Sequence, residues 1–85
     1  MKLLAWTPNA WEDYLYWQTH DRAMLRKINA LVGAALRTPF EGLGKPEALR
    51  FDLAGKWSRR INAEHRLVYM VDGDRLVILQ CRYHY

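Results

Sequence analysis

Three runs of apolar, β-branched or aromatic residues, Trp57–Asn62, His65–Val71 and Arg75–Tyr83, fill the last third of the chain, and the last two are parted only by Asp72-Gly73-Asp74. An Asp-Gly pair between such runs signals a hairpin, because glycine tolerates the positive φ that tight hairpin turns need. This stretch therefore reads as an antiparallel three-stranded meander. It also gathers cations: Lys56, Arg59, Arg60 and Arg66 lie close together with only Glu64 opposing them. A sheet rich in arginine, followed by Tyr83-His84-Tyr85, constrains everything upstream.

Upstream lies the material to cover that sheet. Lys2–Trp6 is a short apolar strand candidate whose leucines suggest pairing inside the sheet rather than at its edge. Thr7 is a good N-cap and Pro8 suits the first helical position, so a helix is expected from Asn9 to about Gln18. Trp11, Tyr14, Leu15 and Gln18 are spaced to share its buried face, leaving Tyr16 or Trp17 to meet a partner. Asp21 can cap a second helix, where Met24, Leu25, Ile28, Leu31, Val32, Ala35 and Leu36 make an amphipathic three-four repeat ended by Thr38-Pro39. Residues 39–49 hold two prolines and two glycines and read as irregular, with Arg50–Leu53 starting another strand. The order places helices early and strands late. That predicts an α+β fold, with an N-terminal αα-hairpin on one face of a twisted antiparallel β-sheet.

The 85 residues make one expected domain, 1–85, with 51% apolar content that belongs to the globular class. No run approaches the length of a membrane span, and the apolar start before Pro8 is too brief for a signal-peptide core, so a cytoplasmic protein with no membrane partner is expected. The lone Cys81 excludes an internal disulfide framework and reads as a buried, reduced thiol. Of the net charge of +4, most lies late: residues 1–44 carry five Lys/Arg against four Asp/Glu, and residues 45–85 eight against five. Such a surface fits an anionic partner, nucleic acid or an acidic protein.

For chemistry the chain offers no metal-ligand spacing, no phosphate-binding glycine loop and no serine nucleophile elbow, so neither metal nor cofactor is expected. What remains is Lys45, Glu47, Arg50, Arg59, Arg60, Arg66 and Arg82-Tyr83-His84-Tyr85. A carboxylate, a guanidinium and an imidazole are the ingredients for cutting RNA without a metal, although on residues alone His84 fits a frayed tail as well. One takes the ribose 2′-hydroxyl proton, one holds the charge on phosphorus, and one protonates the departing 5′-oxygen.

The segments TPFEGLGKPEALR and GKWSRRINAEHRLVYMV with the closing CRYHY, together with WEDYLYWQ and KINAL near the start, resemble the YoeB branch of the RelE-type bacterial toxins across essentially the whole chain. The resemblance implies a microbial-ribonuclease fold and a ribosome-dependent endonuclease that cuts mRNA in the ribosomal A site. It implies a YefM-like antitoxin as partner and the ribosome and mRNA as targets, and it leaves a homodimer open. Carried over by residue, it makes Glu47 the general base, His84 the general acid and Arg66 the stabilising cation. Tyr85 stacks on or supports the substrate, and Lys45, Arg50, Arg59 and Arg60 contact phosphates. Arg50 stands where a lysine is common in that branch. The competing reading is a non-catalytic binder on the same scaffold, either a gyrase-inhibiting ParE-like toxin or an RNA- or ribosome-binding module.

Strand alternation supplies a geometric test. A two-residue Asp72-Gly73 loop would turn His84 away from Arg66. A three-residue Asp72-Gly73-Asp74 loop, or a bulge or bend near Tyr83, would bring them to one face, and one of these is expected.

Overall fold

The computed structural model describes residues 2–84. Strand β1 (Leu3–Trp6) leads into helices α1 (Pro8–His20) and α2 (Arg22–Arg37), and strands β2 (Glu47–Ala48), β3 (Lys56–Arg60), β4 (Arg66–Asp72) and β5 (Arg75–Gln80) follow. The five strands form one sheet in the order β1-β5-β4-β3-β2. Among the described residues, no helix is long and apolar enough to cross a membrane.

The α+β architecture is the expected one, but the sheet is mixed rather than wholly antiparallel. β1 pairs in parallel with β5, Leu4 opposite Leu76 and Trp6 opposite Ile78. It is an edge strand, not an inner one, with Leu3 54% and Leu4 40% exposed. The helical hairpin carries the chain from this edge to the opposite one. The meander then returns, bringing β5 alongside β1 in the same direction.

Both helix starts follow their capping chemistry. Thr7 Oγ1 accepts from Ala10 N–H at 3.2 Å, and Asp21 Oδ1 accepts from Ala23 and Met24 N–H at 3.1 and 3.2 Å. On α2 the residues buried are Met24, Ile28, Leu31, Val32, Ala34 and Ala35, close to the expected stripe. On α1 the expected stripe is displaced: Ala10 and Trp17 are buried, whereas Trp11 and Leu15 are exposed. The reason is the polar partner available to Trp17, whose indole N–H reaches Cys81 O at 2.9 Å and so lets the largest side chain go inside.

Side chains of Ile28, Leu67, Leu76 and Ile78 are fully buried between helices and sheet, each worth roughly 1.5–3 kcal/mol relative to exposure. Since Leu67 and Tyr69 face the helices, Arg66, Val68 and Met70 face the other way.

The strand expected at Arg50–Leu53 does not form. Phe51 takes a left-handed conformation with φ 59° and Phe51–Leu53 make a turn of 3₁₀-helix, which ends any ladder there. Strand β2 lies just upstream instead, directly after Pro46, a residue tolerated at the start of an edge strand.

The hairpin differs from both loops considered. Asp72 pairs with Arg75 across a two-residue Gly73-Asp74 turn. That turn alone would set Arg66 opposite an odd-numbered partner. A bulge then inserts Leu79: Tyr69 pairs with Ile78 but Val68 with Gln80, restoring the even pairing. The compensating irregularity is thus a bulge at Leu79 rather than a longer loop. A bend follows at Tyr83, where φ is 66°.

Candidate functional site

One cross-sheet row organises the face turned away from the helices. Glu47 pairs with Ser58, Ser58 with Val68, and Val68 with Gln80. Its floor is made of small side chains, with Ser58 and Val68 each 3% exposed. Beside this row Arg60 stands directly opposite Arg66 on the neighbouring strand. Like charges facing one another across a ladder are unfavourable, and an anion between them relieves the repulsion. The salt bridge among the described residues, Arg75 to Asp72 at 2.7 Å, lies at the far end of the hairpin and does not neutralise them.

Arg66 is aimed by its own turn. Its Nη1 donates to Asn62 O at 2.6 Å and His65 O at 3.1 Å. Asn62 Oδ1 in turn accepts from the backbone N–H of Glu64 and His65, an Asx arrangement that holds residues 62–65 compact. The Arg66 backbone N–H donates to Tyr83 O at 3.0 Å, so Arg66 meets the residue that precedes His84.

Segment 81–84 is anchored rather than frayed. Cys81 N–H donates to Asp13 Oδ2 at 3.1 Å, and Cys81 O accepts from Trp17. Gln80 Nε2 donates to Arg82 O at 3.3 Å and His84 O at 3.1 Å. Tyr83 N–H donates to His65 Nδ1 at 2.7 Å. The Arg82 guanidinium lies 3.5 Å from the Tyr16 ring centre and 4.6 Å from that of Tyr83. Burial raises the Asp13 carboxyl above its usual range, partly offset by the Cys81 N–H. Burial, with Asp13 nearby, pushes the Cys81 thiol up to about 12, which leaves it unreactive.

Glu47 is exposed on β2, two strands from β4, a lateral separation of roughly 10 Å that two long side chains facing a substrate can span. Lys45 is exposed just before it, with φ 52°, and Arg50 is exposed at the start of the 3₁₀ turn. Residues 47–53 frame a depression of about 300 Å³. Arg60 is exposed on β3, its backbone N–H bonded to Gly44 O at 2.8 Å. Tyr85 lies outside the described residues. Among those described, no group of three His, Cys, Asp or Glu side chains is placed to hold a metal ion.

Arg59 requires a correction. Expected at phosphate, it is 0% exposed and faces the helices. Its Nε donates to Tyr69 Oη at 3.0 Å, Nη1 to Leu43 O at 2.8 Å, and Nη2 to Glu41 O at 3.0 Å and to Thr38 O. With all these donors engaged internally, it fastens the 38–43 loop to the sheet. Two adjacent arginines on a strand must face opposite sides, and Arg60 is the exposed one.

Residues that sequence reasoning missed are the ones that hold the segment: Gln80, Asp13 and Trp17. Gln80 carried no signal, because its face depends on the Leu79 bulge. His65 also supports the segment, through its bond to the Tyr83 N–H.

Residues 6–85 match the family profile described as the YoeB-like toxin of bacterial type II toxin-antitoxin system. The chain is 58% identical over all 85 residues to Toxin YoeB of Escherichia coli (strain K12), covering the whole of both chains. Its fold superposes on a YoeB/ParE toxin from Agrobacterium tumefaciens with TM-score 0.95 and 58% identity, over 98% of this chain and 99% of that one. A heterotetrameric YoeB-YefM toxin-antitoxin complex from Staphylococcus aureus contains a chain with TM-score 0.90 and 48% identity, each chain fully covered.

Proposed function

The chain belongs to the YoeB-like toxins of bacterial type II toxin–antitoxin systems, and from that membership together with the geometry above we propose that it is a ribosome-dependent endoribonuclease. It cuts mRNA in the ribosomal A site and so stops translation in the cytoplasm. Glu47 takes the proton from a ribose 2′-hydroxyl. The freed 2′-oxygen attacks phosphorus, and the P–O5′ bond breaks. His84 gives a proton to the leaving 5′-oxygen, so the products are a 2′,3′-cyclic phosphate and a 5′-hydroxyl. Arg66 stabilises the charge that builds on the phosphoryl oxygens. Lys45, Arg50 and Arg60 contact neighbouring phosphates, and Tyr85 stacks on a base.

The observation that carries this reading is the anchored 81–84 segment. The hydrogen bond from Arg66 N–H to Tyr83 O, and those from Gln80 to Arg82 O and His84 O, hold the residue before His84 beside Arg66. Arg66 in turn shares its face of the sheet with Glu47 and Arg60. A binding module has no need of a carboxylate and an imidazole flanking a guanidinium. The partner that keeps the enzyme silent is a YefM-type antitoxin, whose acidic segment covers this basic face.

Primer extension on a reporter message after induction is the direct test. Cuts in phase with codons, carrying cyclic or 3′-phosphate ends, are expected. They should fall roughly 10²-fold or more in Glu47→Ala, Arg66→Ala and His84→Ala. Growth arrest without phased cuts, or three alanine variants that cut like the wild type, would refute the mechanism.

A further inference from the structure

Tyr83 has φ 66°, a left-handed conformation that few side-chain-bearing residues adopt. The bend decides where the chain goes next, and the next residue is His84. The Tyr83 N–H is taken by His65 Nδ1 at 2.7 Å and the Tyr83 carbonyl by the Arg66 N–H at 3.0 Å. His65 is itself immobilised. It is 7% exposed, its ring stands edge-on to the Trp17 indole with centres 4.9 Å apart, and its N–H is held by Asn62 Oδ1 at 2.8 Å. Trp17 binds Cys81 O on the other side of the bend. Because Nδ1 accepts the Tyr83 N–H, the ring proton sits on Nε2. An apolar side chain would fill the same space against Trp17 but would leave the Tyr83 N–H without an acceptor.

We propose that His65 is a positioning residue, whose Nδ1 sets the left-handed bend at Tyr83 and thereby aims His84 at the scissile linkage beside Arg66. The inference rests on the reading of His84 as the general acid. His65 touches no substrate atom and acts only through the backbone of Tyr83.

Two substitutions separate this role from simple packing. His65→Asn loses the ring but keeps an acceptor, Oδ1, at the place of Nδ1. His65→Leu keeps apolar bulk against Trp17 but has no acceptor. Cleavage on programmed ribosomes is measured for both, with thermal melting to confirm folding at the assay temperature. His65→Leu should lower kcat roughly 10²-fold with KM changed by less than about twofold, as a misplaced catalytic group does. His65→Asn should keep at least ~10-fold more kcat than His65→Leu, since it retains the aiming bond. Equal losses in both variants, or wild-type kcat in His65→Leu, would overturn the proposal. If either variant fails to fold, nitrogen-15 spectra of the unaltered protein decide. An unprotonated His65 Nδ1 with a Tyr83 amide protected from exchange is expected, and a proton on Nδ1 overturns the idea. His84→Ala is assayed in parallel. Wild-type cleavage there refutes the acid assignment and this inference with it. An inactive His84→Ala beside a fully active His65→Leu refutes the inference alone.

Discussion

Replacing Arg59 by methionine probes the most concentrated set of polar contacts in the molecule. The guanidinium donates to Tyr69 Oη and to the carbonyls of Thr38, Glu41 and Leu43, while the residue is 0% exposed. A hydrogen bond from a charged donor contributes about 1.5–3 kcal/mol, so four such bonds are worth roughly 6–12 kcal/mol before losses. Desolvating the guanidinium costs several kcal/mol, and Arg59→Met relieves that cost. The carbonyls at the exposed positions 41 and 43 also regain water once released. Tyr69 keeps one bond, donating to Pro39 O at 2.6 Å. The net loss is therefore put at about 3–5 kcal/mol. At ~0.05–0.15 kcal/mol per residue, a chain of 85 residues holds about 4–13 kcal/mol in total, so the variant sits near unfolding. Tryptophan fluorescence in urea reads this directly. With a slope near 1.5 kcal/mol per M, the midpoint should fall by about 2–3 M. Arg60→Met, one residue along on the exposed face, should shift stability by less than ~0.5 kcal/mol. A variant lacking Arg59 that unfolds at the wild-type midpoint would mean that relief of desolvation outweighs the lost bonds. The anchoring role would then be refuted.

Asp13 gives a pH prediction with a definite sign. Its carboxyl is raised in the folded state, chiefly by burial, so folding favours its protonated form. This contribution is fully favourable below the unfolded value of 3.8 and is lost as pH rises through the raised folded value. Asp13→Asn keeps an acceptor for Cys81 N–H without the charge. Its stability relative to wild type should grow between acidic and neutral pH in paired denaturation curves, and an unchanged difference would contradict the assignment. Gly44→Ala tests a close approach: a Cβ there would sit 2.6 Å from Leu31 Cδ2 and 3.1 Å from Arg59 Cβ, at φ +84°. A loss of about 2–3 kcal/mol is expected in urea titrations. Gly55→Ala, at φ +93° with no atom within 4 Å, should cost only about 1 kcal/mol. Equal effects at the two glycines would show that crowding at Gly44 is unimportant.

Local rules carried the helices and the meander. Thr7-Pro8 and Asp21 read correctly as helix starts, and the α2 stripe from Met24 to Ala35 follows from spacing alone, because capping and amphipathic periodicity are satisfied within a few residues. The catalytic candidates were also legible as residue types, through the resemblance carried by the Glu47 and His84 segments.

What depended on distant partners was not legible. Whether β1 lies at an edge, and in which direction it runs, follows from where β5 returns. The burial of Trp17 in place of Trp11 follows from a carbonyl 64 positions away. Arg59 and Arg60 are chemically identical in sequence, and only the pairing of Arg59 with Leu67 and Arg60 with Arg66 sends one inside and the other to the basic face. The Leu79 bulge and the left-handed Tyr83 likewise arise from contacts with β4 and His65. Sequence alone thus determined which groups are present and which segments are helical or extended, because those depend on local propensity. Tertiary structure decided which of those groups meet, because strand register and a single inserted residue choose the face on which each side chain appears.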